Sequence, residues 1–206
     1  MHIDPEHHME PRKSGNRGFD IAITICILLV SVSSLIIAIV HSRTLERMAD
    51  ANAKLVEANS WPFLSYNTSN GPSINMSIVN DGVGPAKIEA IEVQWAGRSY
   101  DNAVDLLKAC CAFIPKTADV QYEFIAGRVL RAGQTINILT LPHTPADDAA
   151  WNVLDRSRVS RRLTVNVCFC SVFDQCWVDD IVRFSLTPHE VSRCVRPAVP
   201  YGIPER

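Results

Sequence analysis

Six cysteines beyond residue 100 carry the most open chemistry in this chain: Cys110, Cys111, Cys168, Cys170, Cys176 and Cys194. Three of them fall in one stretch, VNVCFCSVFDQCW, from Val165 to Trp177. Thiolates so placed serve as metal ligands, redox centres or covalent staples, and a buried thiol is also an ordinary small apolar side chain. A structural zinc site calls for four ligands, commonly in Cys-x2–4-Cys pairs or with histidine. Cys168 and Cys170 are spaced Cys-x-Cys on one strand face, which is poor geometry for chelation. His143 and His189 are distant in sequence, and no Cys-x-x-Cys pair is present. No cofactor or metal is therefore expected.

A hairpin staple fits better. If Val172, Phe173 and Asp174 form a three-residue turn, Cys170 faces Cys176. If Phe173 and Asp174 alone form the turn, Cys176 moves to the other face and the pair is lost. The apolar pattern leaves both open, because Trp177 with Ile181 and Val178 with Val182 and Phe184 are equally buriable. Cys110 and Cys111 are adjacent and are expected to take different partners, Cys194 being one candidate. Six fully reduced core cysteines are the plain alternative. An even number of cysteines favours a disulfide-permissive compartment.

Other chemistry is thinly represented. Asp179 and Asp180 are neighbours on a strand and point to opposite faces, while Asp147 and Asp148 open a helix, where acids suit the dipole. Arg156, Arg158, Arg161 and Arg162 form the one basic cluster. It serves either as charge complementing a helix C-terminus or as a patch for lipid headgroups or an acidic partner. Neither a Gly-rich phosphate loop, a Gly-x-Ser-x-Gly elbow nor a His-Glu-x-x-His motif occurs, so no catalytic set is expected. Asn67-Thr68-Ser69 and Asn75-Met76-Ser77 fit the glycosylation pattern, which matters only in a eukaryotic secretory host. His2, His7 and His8 read as a solvated terminus, and Met9 is a second possible start.

The elements that hold these residues begin with Ile21 to Val40, 20 residues without a charge. As a helix this run is about 30 Å long, the thickness of a bilayer's hydrocarbon core. It is too long for a cleavable signal's apolar region, and the nearest small-x-small triplet, Ala51 to Ala53, lies beyond charged residues. An uncleaved anchor through the bilayer is expected. Arg12, Lys13 and Arg17 on one side balance Arg43, Arg47 and Lys54 on the other, so charge leaves orientation tied. The cysteines place the larger part outside the cytoplasm.

The organisation predicted is a flexible tail over 1–20, a transmembrane helix over 21–41, a helical stalk over 42–60, a domain over 61–190 and a Pro-rich tail over 191–206. The stalk lacks Gly and Pro, and homo-oligomerisation through it stays open; Trp61-Pro62 ends it. From Trp61 on, 14 Lys and Arg oppose 15 Asp and Glu, which gives no basic excess for nucleic acid. Strands are expected at Ser73 to Asn80, at Lys87 to Trp95 with a bulge near Ala90, at Tyr122 to Ile125 and at Gly133 to Pro142. Two more are expected near the end, RLTVNVCFCSV and CWVDDIVRFSL. Two short helices interrupt them, one capped by Asp101 or Asn102 and one with Thr144 as N-cap and Pro145 first. That alternation predicts a mainly β fold, an Ig-like antiparallel sandwich with two inserted helices.

SINMSIVNDGVGPAKIEAIEV, with Asn80, Gly82, Gly84 and Pro85 in N-x-G-x-G-P-A order, resembles a segment of a broad group of uncharacterised bacterial single-pass membrane proteins. WPFLSY and CFCSVFDQCW resemble that group's other recurring stretches. The resemblance implies an Ig-like domain outside the inner membrane, facing a protein or envelope component. It implies no activity and no catalytic residues.

Overall fold

The structure, a computed structural model, describes residues 15, 17–115, 119–183 and 187–202. His2, His7, His8, Met9, Arg12, Lys13 and Phe184 lie outside them. The chain divides into two compact units, Met1–Lys54 and Leu55–Arg206.

A single helix, α1, runs without a break over Arg17–Ala58. The runs expected as span and stalk are thus consecutive parts of one element, which stops two residues short of the expected end. An 18-residue window within it has a mean hydropathy of 2.9, and by length and composition the helix is able to cross a membrane. None of its side chains is buried. The hydroxyls of Thr24, Ser31 and Ser33 donate to the carbonyls of Asp20, Ile27 and Val30, so the helix itself satisfies these three hydroxyls in its apolar run.

The second unit is built from two sheets in which every pairing is antiparallel. The first joins β1 (Leu64–Ser69), β2 (Ser73–Asn80) and β6 (Thr135–Pro142) in the order β1-β2-β6. The second has the order β4-β3-β7-β8-β9, from Arg98–Tyr100, Ala86–Trp95, Leu163–Cys170, Cys176–Asp180 and His189–Val191. The short β5 (Val129–Leu130) also pairs with β3. Strict alternation puts Ile74, Met76 and Ile78 inward from β2, and Val165, Val167 and Phe169 inward from β7. Both sets belong to one apolar core. The bulge expected near Ala90 is the register shift between Ile88 and Ala90, which lets both Ile88 and Ile91 face that core.

Two short helices complete the unit. In α2 (Ala103–Cys111) the Asn102 side chain accepts from the Asp105 amide at 2.9 Å, and Ala112, at φ 52°, closes the other end in the left-handed conformation. In α3 (Asp148–Ser157) the start lies further on than expected. Thr144 to Asp147 form a turn, with the Asp147 amide on the Thr144 carbonyl and the Thr144 hydroxyl on the Asp147 carboxylate at 2.6 Å.

Two further expectations change. Tyr122 to Ile125 is no strand: Gln121 forms an isolated bridge with Thr140, and at Glu123 the amide donates to the Asn137 carbonyl at 3.3 Å while the Asn137 amide is taken by the Glu123 side chain, so no regular ladder forms. The last expected strand ends at Asp180, whose carboxylate accepts from the Val165 amide and pairs with Arg183 at 2.8 Å, turning Ile181–Arg183 into a 3-10 helix. Within the Pro-rich tail, the described residues reach back into the core. Tyr201 is fully buried, its amide donates to the Ile91 carbonyl, and its hydroxyl donates to the Ile138 carbonyl at 2.9 Å.

Asp179 sits buried on the inner face of β8 opposite Val167. Burial, reinforced by the neighbouring Asp180 charge, pushes its carboxyl above the ordinary range. A raised folded-state value means that the stability contribution is present at low pH and lost as pH rises through the folded value. Asp179→Asn is therefore expected to raise the melting temperature at neutral pH, with the gain shrinking in acid. Equal gains at both pH values would refute this origin.

Candidate functional site

Two sites grow out of the residues singled out in the sequence. The first is the turn between β2 and β3. Asn80 is fully buried, and all of its side-chain hydrogen-bonding capacity is used. Its Oδ1 accepts from the amides of Gly82 at 3.1 Å and Phe63 at 3.3 Å, while its Nδ2 donates to the carbonyls of Gly84 at 2.8 Å and Leu130 at 3.0 Å. The amides of Val83 and Gly84 both donate to the Trp61 carbonyl at 3.1 Å, and the Asp81 amide donates to the Phe63 carbonyl at 2.8 Å. The turn thus grips the backbone of Ser60 to Phe63, the segment that leads into β1.

Glycine is needed here for space, not for a left-handed backbone. A Cβ on Gly82 would lie 2.3 Å from the Phe63 nitrogen, and one on Gly84 would lie 2.1 Å from the Ser60 carbonyl oxygen. Pro85 then leads into β3. The turn is a clamp on the chain, and nothing in it is aimed at a ligand.

The second site is a sulfur cluster on the outer face of the second sheet. Ser171 and Gln175 close the β7–β8 hairpin with the Ser171 amide on the Gln175 carbonyl, so Val172, Phe173 and Asp174 form the three-residue turn. Asp174 takes φ 60°, the left-handed residue such a turn needs, and its carboxylate pairs with Lys87. Cys170 therefore stands opposite Cys176, and their sulfurs are bonded. Cys168, two residues back on the same face, is bonded to Cys194. The two bonds are neighbours, with the Cys194 and Cys170 sulfurs 3.8 Å apart. Cys168, Cys170 and Cys176 are buried; Cys194 is partly exposed. Beside the cluster lies a groove of about 320 Å³, lined among others by Ala90, Glu92, Asn166, Cys168, Val178 and Pro197.

Cys110 and Cys111 depart from the expectation of separate partners, because they are bonded to each other. Both stand at the C-terminal end of α2, next to the left-handed Ala112, while Cys194 is engaged by Cys168 on another face. Cys26, in α1, is free.

Loop length ranks the three bonds. Chain-entropy arguments give about 3.5 kcal/mol for the 26-residue separation of Cys168 and Cys194, about 2 kcal/mol for the 6-residue separation of Cys170 and Cys176, and under about 1 kcal/mol for the adjacent pair. Denaturant titration of the three Cys→Ser double variants is expected to reproduce that order; a cost at Cys110 and Cys111 equal to that at Cys168 and Cys194 would contradict it.

The basic cluster is partly spent on structure. Arg158 pairs with Asp155 at 2.9 Å and donates to the Thr68 hydroxyl, and the Arg162 guanidinium lies 4.9 Å from the centre of the Trp95 ring. Arg156 and Arg161 are left exposed, Arg161 on the wall of a surface cavity of about 460 Å³ shared with Arg183. Asp179 and Asp180 face opposite sides of β8, and neither meets a second carboxylate across the sheet, where Val167 and Asn166 stand. The clamp's grip on Ser60 to Phe63 and the pairing of Cys168 with Cys194 were not read from the sequence.

Comparison of the chain with protein-family models, with curated proteins and with solved structures finds no match.

Proposed function

We propose that the chain is a non-enzymatic interaction module anchored by one span in a bacterial inner membrane, with an Ig-like domain on the extracytoplasmic side. The observation that carries this reading is the uncharged run Ile21 to Val40 within a helix that buries none of its side chains. In water such a surface would aggregate; in lipid it is satisfied. Bonded sulfur pairs support an oxidising compartment. Two antiparallel sheets contributing to one core support the Ig-like assignment. The ligand in this reading is a protein or envelope component, and nucleic acid is not a partner.

Labelling intact cells and spheroplasts with a membrane-impermeant maleimide, before and after reduction, tests it by mass. Adducts on the domain that appear only after reduction are expected. Labelling of the cysteines beyond residue 100 by a permeant maleimide alone, without reduction, would overturn the topology.

One observation favours a second reading, a membrane-localised effector or enzyme whose thiol- or metal-containing domain is cytoplasmic. The sulfurs of Cys170, Cys176 and Cys194 all lie within 4.8 Å of one another. Stoichiometric zinc in protein purified under reducing conditions would support it, and metal-free protein would remove its basis.

A further inference from the structure

We propose that Cys168, Cys170, Cys176 and Cys194 form a thiol–disulfide exchange site that takes an electron pair from an external dithiol, with Cys194 as the sulfur that changes partner. The inference rests on the cluster alone and holds on either side of a membrane.

Three observations converge on Cys194. Among the four sulfurs it belongs to the one residue that is not buried, so an incoming thiolate reaches it first. It is flanked by Arg193 and Arg196, both exposed, and positive charge close by stabilises a thiolate. Its sulfur also lies 3.8 Å from that of Cys170 and within 4.8 Å of that of Cys176, so it meets the Cys170–Cys176 bond from the side, and a Cys194 thiolate freed from Cys168 must swing into line behind Cys170 to form a second disulfide.

One thiolate of the dithiol attacks Sγ of Cys194, and Cys168 leaves as a thiolate. The dithiol's second thiolate attacks its own sulfur in the mixed disulfide, closing the oxidised dithiol and releasing Cys194. The dithiol is oxidised by two electrons, the Cys168–Cys194 bond is reduced, and the two protons pass to protein thiols. The Cys194 thiolate then attacks Sγ of Cys170, and Cys176 departs as a thiolate that takes up a proton. This second step exchanges one disulfide for another with no outside reactant.

Its products are a Cys170–Cys194 bond and free thiols at Cys168 and Cys176. The attachment point of the 192–197 segment thereby passes from Cys168 to Cys170, two residues along β7, while the Cys194 sulfur itself closes a gap of 3.8 Å. Pro197, on the wall of the neighbouring groove, belongs to that segment. The exchange therefore links the redox state of the cluster to the shape of the groove.

The test uses the full chain carrying Cys110→Ser and Cys111→Ser, so that the cluster holds the only reducible bonds. One equivalent of dithiothreitol is added, the reaction is quenched in acid, and free thiols are alkylated. Chymotryptic cleavage after Phe169 and Phe173 separates Cys168, Cys170 and Cys176 for mapping. Cys26 is alkylated in every sample and serves as the reference. The expected result is a peptide linking Cys170 to Cys194, with Cys168 and Cys176 alkylated. An intact Cys170–Cys176 bond with alkylated Cys168 and Cys194 would overturn the exchange step. Alkylated Cys170 and Cys176 with Cys168–Cys194 intact would overturn Cys194 as the entry point, and no reduction at all would overturn the site. Cys176→Ser gives an independent measurement, since it leaves a thiol at Cys170. A Cys170–Cys194 bond with free Cys168 is then expected, and retention of Cys168–Cys194 in more than nine-tenths of the molecules would contradict the proposal.

Discussion

Gly84→Ala will destabilise the Leu55–Arg206 unit by about 3 kcal/mol or more, a large share of the roughly 5–15 kcal/mol that holds a domain of this size together. The new Cβ would meet the Ser60 carbonyl oxygen at 2.1 Å and the Ser60 carbonyl carbon at 2.2 Å. Both are backbone atoms, so no rotamer change relieves the clash. Relief requires Ser60 to Phe63 to withdraw, which breaks the hydrogen bonds that Val83 and Gly84 make to Trp61 and strips the buried Asn80 of its Phe63 partner. Gly71→Ala is the control, since nothing lies within 4 Å of its added Cβ and a change within about 0.5 kcal/mol is expected. Urea titration of both variants in detergent checks the pair. A Gly84→Ala midpoint indistinguishable from that of Gly71→Ala would show that the clamp does not hold in solution.

Tyr201 is the second site of large effect. Tyr201→Ala removes a fully buried ring and is expected to cost about 3–5 kcal/mol, by analogy with other aromatic truncations. Tyr201→Phe keeps the ring and leaves the Ile138 carbonyl without its donor, for about 1–3 kcal/mol. The hydroxyl adds a pH signature. Burial pushes the Tyr201 phenol well above its ordinary value, and burial likewise pushes Tyr66 up to about 12, against the opposing effects of its Thr68 hydrogen bond and the Arg158 charge. Below about pH 10 the folded and unfolded chains hold these protons equally. Above it the unfolded chain releases protons that the folded chain keeps, so stability falls as pH rises. The fall is expected to be shallower in Tyr201→Phe. Parallel alkaline profiles for wild type and Tyr201→Phe would argue that the ring is exposed to solvent.

The strands β2 and β3 were legible because their apolar residues repeat every second position, and the slip near Ala90 marked the bulge. The uncharged run of α1 was legible for the same reason, a pattern carried by neighbours. What lay hidden depends on partners far along the chain. Gly82 and Gly84 read as turn residues, yet what requires glycine is the backbone of Ser60 to Phe63, some twenty positions earlier, and a backbone contact leaves no mark in side-chain pattern. Six cysteines allow fifteen pairings, and spacing alone could argue only for Cys170 with Cys176. The joining of Cys168 to Cys194 needed the path of the last residues. Proline content suggested that those residues do not extend a sheet, but it carried no hint that Tyr201 fills the core. In α3 the Thr144-Pro145 pair looked like a helix start because it has the right composition, and a turn uses the same residues.

The position of Tyr201 bears on the order in which the domain is made. Synthesis runs from the N-terminus, so β2, β3 and β6 leave the ribosome long before the aromatic side chain that fills the space beside Ile91 and Ile138. Until then those strands hold an unfilled apolar slot, and the nascent domain waits, open, for a side chain made about sixty residues after β6. Closure becomes a late event, completed after elongation has delivered Tyr201.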